Sequence, residues 1–337
     1  MSNISPRDIS DLIASAKVIA ILQADNPDGD SLASALALED IIGNWGKEPV
    51  LYCGMDIPKH LQHLSGWDRV QKEMPKNFDL SIVVDCSSRS LFEIADKRGE
   101  LTWVFTKPML IIDHHKVEVT LPAKHIYTQE QAVSTGEIIY DLAKELDWQL
   151  SDHTKNMITV SILSDSLGLM TDSTSPHSIR VVADLVESGV KLAELDDARR
   201  QTMRKSEALT HYKGQLLQRI AYTPDYRIAH ITIPWEEIEQ FSSDYNPSML
   251  VIDDMRLTEG THVAIAFKTY KSSRVTAKIR CNYGYPIARE LSEHFGGGGH
   301  PYASGFKIDD GTSFEDIKQN CINKALELLD EVNHETI

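Results

Sequence analysis

Cysteine is scarce in this chain of 337 residues: Cys53, Cys86, Cys281 and Cys321 stand far apart and never in a CxxC spacing. That excludes a disulfide framework and a zinc knuckle. Isolated thiols suit small buried side chains in a reducing compartment, so a cytoplasmic location is expected. Long apolar runs are missing too. No stretch nears the roughly 18 residues of a membrane span, and the opening MSNISPRDISDLIASAK has no apolar signal core. Neither a membrane nor a secretory route is therefore expected. Positive charge is in short supply, with Lys+Arg 34 against Asp+Glu 50 and a formal net charge of -16. A surface of that sign repels polyphosphate, which excludes a non-specific binder of long duplex DNA. Any phosphate-bearing ligand must be held locally, by metal ions or a few placed donors. There is no internal repeat of the solenoid kind. The remaining composition, 42% hydrophobic and 25% charged, is that of an ordinary globular protein of about two domains.

What is present is an alternation of short apolar runs and helical patterns. Ser5-Pro6 reads as a helix start, and the run Val18–Leu22 then leads into the loop Ala24-Asp25-Asn26-Pro27-Asp28-Gly29-Asp30. A helix is expected from Ser31 to about Trp45. Apolar runs follow at 50–53, 80–85 and 109–112, and helical patterns at 137–146, 153–163 and 178–188. Strands alternating with helices predict an α/β fold whose first domain is built on a parallel sheet with helices on both faces. In such sheets ligands gather beyond the carboxyl ends of the strands. Here three apolar runs end at once in acidic residues: VIAIL leads to Asp25, Asp28 and Asp30, LSIVV to Asp85, and MLII to Asp113-His114-His115. Asp165, ending a helical pattern, is a fourth candidate for that edge. The charged stretch 191–222 reads as a helical connector. Beyond Pro224, strand-like alternation and two helical patterns predict a smaller α+β domain. The expected boundaries are 1–190, 191–222 and 223–337.

Each motif also has a plain structural reading. Asn26-Pro27-Asp28-Gly29-Asp30 alone is most simply a turn, and it lacks the spaced ligands and distal Glu of an EF-hand. Adjacent histidines after a buried strand are harder to explain structurally, because successive side chains point to opposite faces and one imidazole must find a polar partner. Several carboxylates brought close together cannot all stay ionised without a cation, and a mixed carboxylate and imidazole set suits manganese better than magnesium or iron. Gly296-Gly297-Gly298-Gly299-His300-Pro301 is followed by no Lys-Ser/Thr, so it is not a Walker loop. Its glycines would let backbone N–H groups approach an anion, with His300 as a further donor and Arg280 as a guanidinium for phosphate.

Taken in order, Asn26-Pro27-Asp28-Gly29-Asp30, Val84-Asp85, Asp113-His114-His115, Ser164-Asp165-Ser166 and Gly296 to Pro301 resemble the DHH phosphoesterase superfamily with its DHH-associated C-terminal domain. The branch they are most similar to is that of the nanoRNases, which combine oligoribonuclease and 3′-phosphoadenosine 5′-phosphate phosphatase activity. The resemblance spans nearly the whole chain. It implies a two-metal hydrolase of short oligonucleotides or nucleotide phosphates, with two Mn²⁺ ions expected and Mg²⁺ or another divalent cation as substitute. By that resemblance Asp28 and Asp85 hold one metal, and Asp30, Asp85, His114 and Asp165 the other. His115 contacts phosphate and assists proton transfer, Asp113 orients the histidines, and Arg280, Gly298, Gly299 and His300 hold the terminal phosphate or nucleotide.

One position departs from the pattern. The branch has a histidine four residues before the first metal aspartate, and here that residue is Ala24. The first metal site is therefore expected to be weaker, or remade with Asp25 or water. Two other readings follow: a cyclic-dinucleotide phosphodiesterase, which the same metals and anchor would serve, and a nucleotide-binding protein impaired in catalysis at Ala24. A homo-oligomer is compatible with the sequence.

Overall fold

The computed structural model describes residues 3–242 and 245–335, which form two compact units divided between Arg204 and Lys205. The division falls inside the stretch read as a connector. That stretch holds two helices, one in each unit, and ends in a short strand of the second unit's sheet.

In the first unit the strands β1 (Val18–Leu22), β2 (Glu48–Tyr52), β3 (Leu80–Val84), β4 (Met109–Asp113) and β5 (His125–Thr128) form one parallel sheet in the order β2-β1-β3-β4-β5. Its helices are α1 (Pro6–Ser15), α2 (Gly29–Asn44), α3 (Glu93–Lys97), α4 (Leu101–Val104), α5 (Thr135–Glu145), α6 (Asp152–Asp165), α7 (Pro176–Glu187) and α8 (Leu192–Thr202). The strands β3 and β4 are buried at every position, as sheets covered on both faces require. Ile19, Ile21, Ile82, Val84, Leu110 and Ile112 pack with α2, α5 and α6, while Ala20, Leu22, Val83 and Ile111 pack with Phe92, Leu101 and Val104 on the other side. The chain turns from β1 to β2 on one side and returns to β3 on the other. That reversal is the switch point at which such sheets open a crevice at their carboxyl edge.

Two details set the position of that edge. The helix α2 begins at Gly29, two residues earlier than the sequence pattern suggests. Asp28 caps it by accepting from the Ser31 backbone N–H at 3.0 Å, and the Ser31 hydroxyl accepts in return from Asp28 N–H. The Asn-Pro-Asp-Gly-Asp string is thus a helix entry rather than a free loop. Gly29 is required for a different reason than a turn: a Cβ there would lie 2.1 Å from Ser164 Oγ, and one on Gly136 equally close to Ser161 Oγ. Small residues at these crossings let α5 and α6 close on α2, which is buried from Gly29 through Leu38. Burying each of its large side chains, such as Leu32, Leu36 and Leu38, contributes about 1.5–3 kcal/mol.

The second unit holds α9 (Glu207–Gln218), β6 (Ala221–Tyr222), β7 (Ile228–Ile233), α10 (Trp235–Phe241), α11 (Ile252–Arg256), β8 (Val263–Thr269), β9 (Val275–Cys281), α12 (Ala288–His294), β10 (Gly298–His300), β11 (Ala303–Ile308) and α13 (Phe314–Glu335). Its mixed sheet has the order β10-β11-β9-β8-β7-β6, with β7 and β8 parallel and the other neighbours antiparallel. All four cysteines are buried free thiols. Among the described residues no helix is long and apolar enough to cross a membrane.

Candidate metal centre

The carboxyl ends of β1, β3 and β4 and the last residue of α6 bring Asp30, Asp85, His114 and Asp165 together. From His114 Nε2 the nearest carboxylate oxygens are Asp165 Oδ2 at 3.2 Å, Asp85 Oδ1 at 3.4 Å and Asp30 Oδ2 at 3.6 Å. The imidazole Nδ1 faces the Ala132 carbonyl at 3.3 Å, which presents Nε2 to the carboxylates. Nε2 is buried and makes no well-aligned hydrogen bond, so a buried nitrogen is left facing three acids. One unpartnered imidazole nitrogen amid three convergent carboxylates fits a divalent cation: Asp30, His114 and Asp165 offer atoms within 4.8 Å of one another, as do Asp85, His114 and His115.

Asp30 is fully buried and almost saturated. Its Oδ1 accepts from Ser161 Oγ at 2.6 Å, Ser34 Oγ at 2.8 Å and the Gly136 N–H at 3.4 Å, while Oδ2 accepts from the Thr135 N–H at 2.8 Å. Even so, burial and then the Asp165 charge push its carboxyl upward. Burial, followed by Asp30, raises Asp85 in the same way. On His114 burial opposes charge, yet Asp165 and Asp85 outweigh it and push the imidazole up to about 11. All three shifts express one fact: the cluster holds more negative charge than its own donors neutralise.

Asp85 sits at φ 58, a left-handed backbone that an aspartate adopts only at some cost, while its N–H still bonds to the Ile112 carbonyl at 3.0 Å. The twist carries the carboxylate off the end of β3 to face both histidines. Thr135 Oγ1 donates to it at 3.3 Å. His115 is half exposed, and its Nδ1 lies 2.8 Å from Asp113 Oδ1 and 3.5 Å from Asp85 Oδ1. Asp113 is fully buried. Burial alone would raise its carboxyl, but hydrogen bonds from His115 and Ser87 outweigh that and hold it below the usual range. It is thereby a fixed anion behind His115, and its bond raises the imidazole of His115 above its ordinary value.

The remaining sequence candidates stand elsewhere. Asp28 caps α2, belongs to neither of the two clusters, and is close enough to Asp85 for its charge to raise that carboxyl. Ala24 is buried in the apolar cluster with Tyr52, Cys86 and Phe92. Asp25 turns away toward α3: its Oδ2 accepts from the Ile94 N–H at 2.8 Å and its own N–H bonds to Leu91. In the second unit Arg280 lies on β9 opposite Ala303, with its guanidinium donating to the Ile279 carbonyl at 2.9 Å. Gly298, Gly299 and His300, expected in an open anion loop, form the short exposed strand β10 paired with β11. Sequence reasoning missed Ser34, Thr135 and Ser161, which hold Asp30 and Asp85. Ser34 and Ser161 lie inside helical patterns and Thr135 just before one, where a hydroxyl carries no signal of its own.

Residues 18–170 match the model of the DHH family, N-terminal domain. The chain is 26% identical over 285 residues to the bifunctional oligoribonuclease and PAP phosphatase NrnA of Thermus thermophilus, covering 83% of this chain and 81% of that protein. It is 21% identical to the enzyme of the same name from Bacillus subtilis, over 84% of this chain and 86% of that one. In fold it matches an exopolyphosphatase-related protein from Bacteroides fragilis with a TM-score of 0.82 and 18% identity, covering 96% of this chain and 95% of the other. The matched segment contains the ends of β1, β3 and β4 together with Asp165, so the likeness to the DHH family's N-terminal domain falls on the first unit and takes in its acidic edge.

Proposed function

We propose that this chain is a metal-dependent phosphoesterase that hydrolyses short oligonucleotides and 3′-phosphoadenosine 5′-phosphate. The observation that carries the reading is the convergence of Asp30, Asp85 and Asp165 on the unpartnered Nε2 of His114. The names of the Thermus and Bacillus relatives supply the substrate class. Asp30, Asp85, His114 and Asp165 would hold one divalent cation, manganese foremost, and Asp28 with Asp85 a second. Bound there, such cations supply Lewis-acid neutralisation of the charge that develops on a phosphoryl group.

The chain's own residues do the rest. Asp113 holds Nδ1 of His115, which leaves Nε2 of that ring as the atom free to meet substrate. The Asp113 hydrogen bond raises the imidazole above its ordinary value, which favours the protonated ring, and His115 can pass that proton to the leaving oxygen. In the second unit Arg280 supplies a charge-assisted contact for a terminal phosphate. The Gly298–Gly299 backbone and His300 frame the same end of the hairpin.

The test is direct. Purified protein loaded with Mn²⁺ is expected to release mononucleotide from a linear dinucleotide and phosphate from 3′-phosphoadenosine 5′-phosphate. Both activities should vanish in EDTA and return on adding the cation. Metal-loaded protein that turns over neither substrate overturns the reading, and a cyclic dinucleotide in the same assay measures how far the site extends to closed substrates.

A further inference from the structure

The sheet of the second unit is covered unevenly. One face, with Val263, Ile265, Phe267 and Ile279, packs under α12 and α13. On the other face, Ala229, Ile231, Ile233 and Ala264 pack with Leu209, Ile238 and Met255 from α9, α10 and α11. The rest of that second face, over β8, β9, β11 and β10, is the floor of an open groove of about 890 Å³. Four cations line this groove: Lys307 is exposed on β11 opposite Thr276, and Arg280, Lys278 and Lys268 are half buried on the floor.

Register fixes their spacing. Arg280 lies opposite Ala264, Lys278 opposite Ala266, and Lys268 opposite Thr276. Arg280 and Lys278 are therefore one same-face step of about 7 Å apart on β9. Lys268 is one further step along, displaced to the neighbouring strand. On the opposite side Gly305 of β11 faces Lys278, and Gly298 of β10 faces Gly305. The wall beside the middle cation is thus bare backbone, and a Cβ on Gly298 would meet nothing within 4 Å.

These are not ordinary surface charges. None has a carboxylate partner among the described residues: Lys268 Nζ donates to Asn246 Oδ1 at 2.6 Å, Lys278 Nζ lies 3.5 Å from Met249 Sδ, and Arg280 bonds a carbonyl. Each is half buried. Burial, and then the next cation in line, depresses both lysines, Lys268 to about 8. From Val263 to Cys281 the chain has Lys268, Lys271, Arg274, Lys278 and Arg280 but no Asp or Glu, within a protein of net charge -16. A half-buried row of like charges destabilises itself until an anion lies along it.

We propose that Lys278 and Lys268 extend Arg280 into a ladder for consecutive phosphates, so that the second unit grips a short single strand at up to three of them and grades affinity by length. The nucleotide identity of the ligand rests on the function proposed above; the ladder itself rests on the groove. A step of two strand residues is comparable to the backbone repeat of an extended single strand. The phosphates of inorganic polyphosphate follow one another too closely to meet successive rungs.

Binding of 5′-phosphorylated di- and triribonucleotides to the full-length protein, measured calorimetrically in EDTA, tests this without turnover. Lys268→Ala should weaken the trinucleotide by about tenfold and leave the dinucleotide unchanged. Lys278→Ala should weaken both, and Lys268→Arg should restore the trinucleotide. Loss of the Lys268 rung should also reduce the salt slope for the trinucleotide by about 0.7. Tripolyphosphate should respond to Lys268→Ala no more than the dinucleotide does. Equal loss for dinucleotide, trinucleotide and tripolyphosphate, or no loss for any, overturns the ladder. Length-graded binding by a protein that hydrolyses nothing would sink the phosphoesterase reading alone, whereas hydrolysis without grading would sink only the ladder.

Discussion

In the first unit every strand of the sheet runs parallel and charge collects at strand ends; in the second most neighbours are antiparallel and charge stands along an open face. The signs are opposite as well. A parallel sheet buried on both faces has no side-chain position for a charge except past its carboxyl edge, so Asp30, Asp85 and His114 are forced together there. A sheet with part of one face open can present charge at every second residue there, as β9 does with Lys278 and Arg280. The comparison teaches a division of labour: a point-like acidic site suited to chemistry, and a linear basic one suited to holding.

The strongest way to break that division is Asp85→Ala. It should reduce turnover on the order of 10³-fold while leaving oligonucleotide affinity in EDTA unchanged; an equal loss of affinity would refute the separation. Arg280→Ala sharpens it from the other side, raising KM by about 10–100-fold with kcat at saturation preserved, which steady-state kinetics would show.

A third prediction concerns the charge imbalance of the acidic site without cation. Asp30 is raised from 3.8 to about 6, so its contribution to folding is complete below about pH 4 and is lost as pH rises through about 6. His114, raised from 6.5 to about 11, adds stability below 6.5 that is lost on further rise. Both signs agree: the EDTA-treated protein should melt lower at pH 8 than at pH 5. Mn²⁺ in hundredfold excess over its Kd should recover roughly 5 °C or more at the higher pH and less at the lower. A gap that shrinks with rising pH would contradict this.

Smaller effects probe the scaffold. Gly29→Ala should cost about 1–3 kcal/mol in a denaturant melt, because its Cβ would press on Ser164, and Ser164→Gly in the same chain should recover most of it. Ala24→His addresses the departure from the motif. Calorimetric titration should show a tighter first cation than in the natural chain, by a few-fold, given that Asp25 is engaged at Ile94 and Ala24 is packed among apolar side chains. Unchanged occupancy would mean that the first site is complete without a histidine.

The acidic edge was legible because its signal repeats: one apolar run ending in Asp is commonplace, but several in one chain point to a shared sheet edge, and Asp85 and Asp113 end theirs directly. The parallel sheet followed from the same runs, except for β5, whose four residues, His125–Thr128, are too few to show a period. The start of α2 was hidden because Asn, Pro, Asp and Gly serve a turn and a helix entry equally well. What holds Asp30 in place was not legible at all. Ser161 and Thr135 acquire their roles only when α5 and α6 close on α2, a contact between residues 131 and 105 positions away from Asp30 in the chain. The basic ladder was missed for a related reason. Alternating Lys, Ile and Arg describes any strand with one wet face, and only the pairing of β8 with β9 brings Lys268 into line with Lys278 and Arg280 in one groove.

The left-handed backbone of Asp85 has a consequence for how this protein can change. Glycine would occupy that φ without strain, so the substitution that would relax the backbone most is also one that removes the carboxylate facing both histidines. Backbone strain alone would favour glycine at this position, and the aspartate there marks the point where foldability and chemistry pull the same residue in opposite directions.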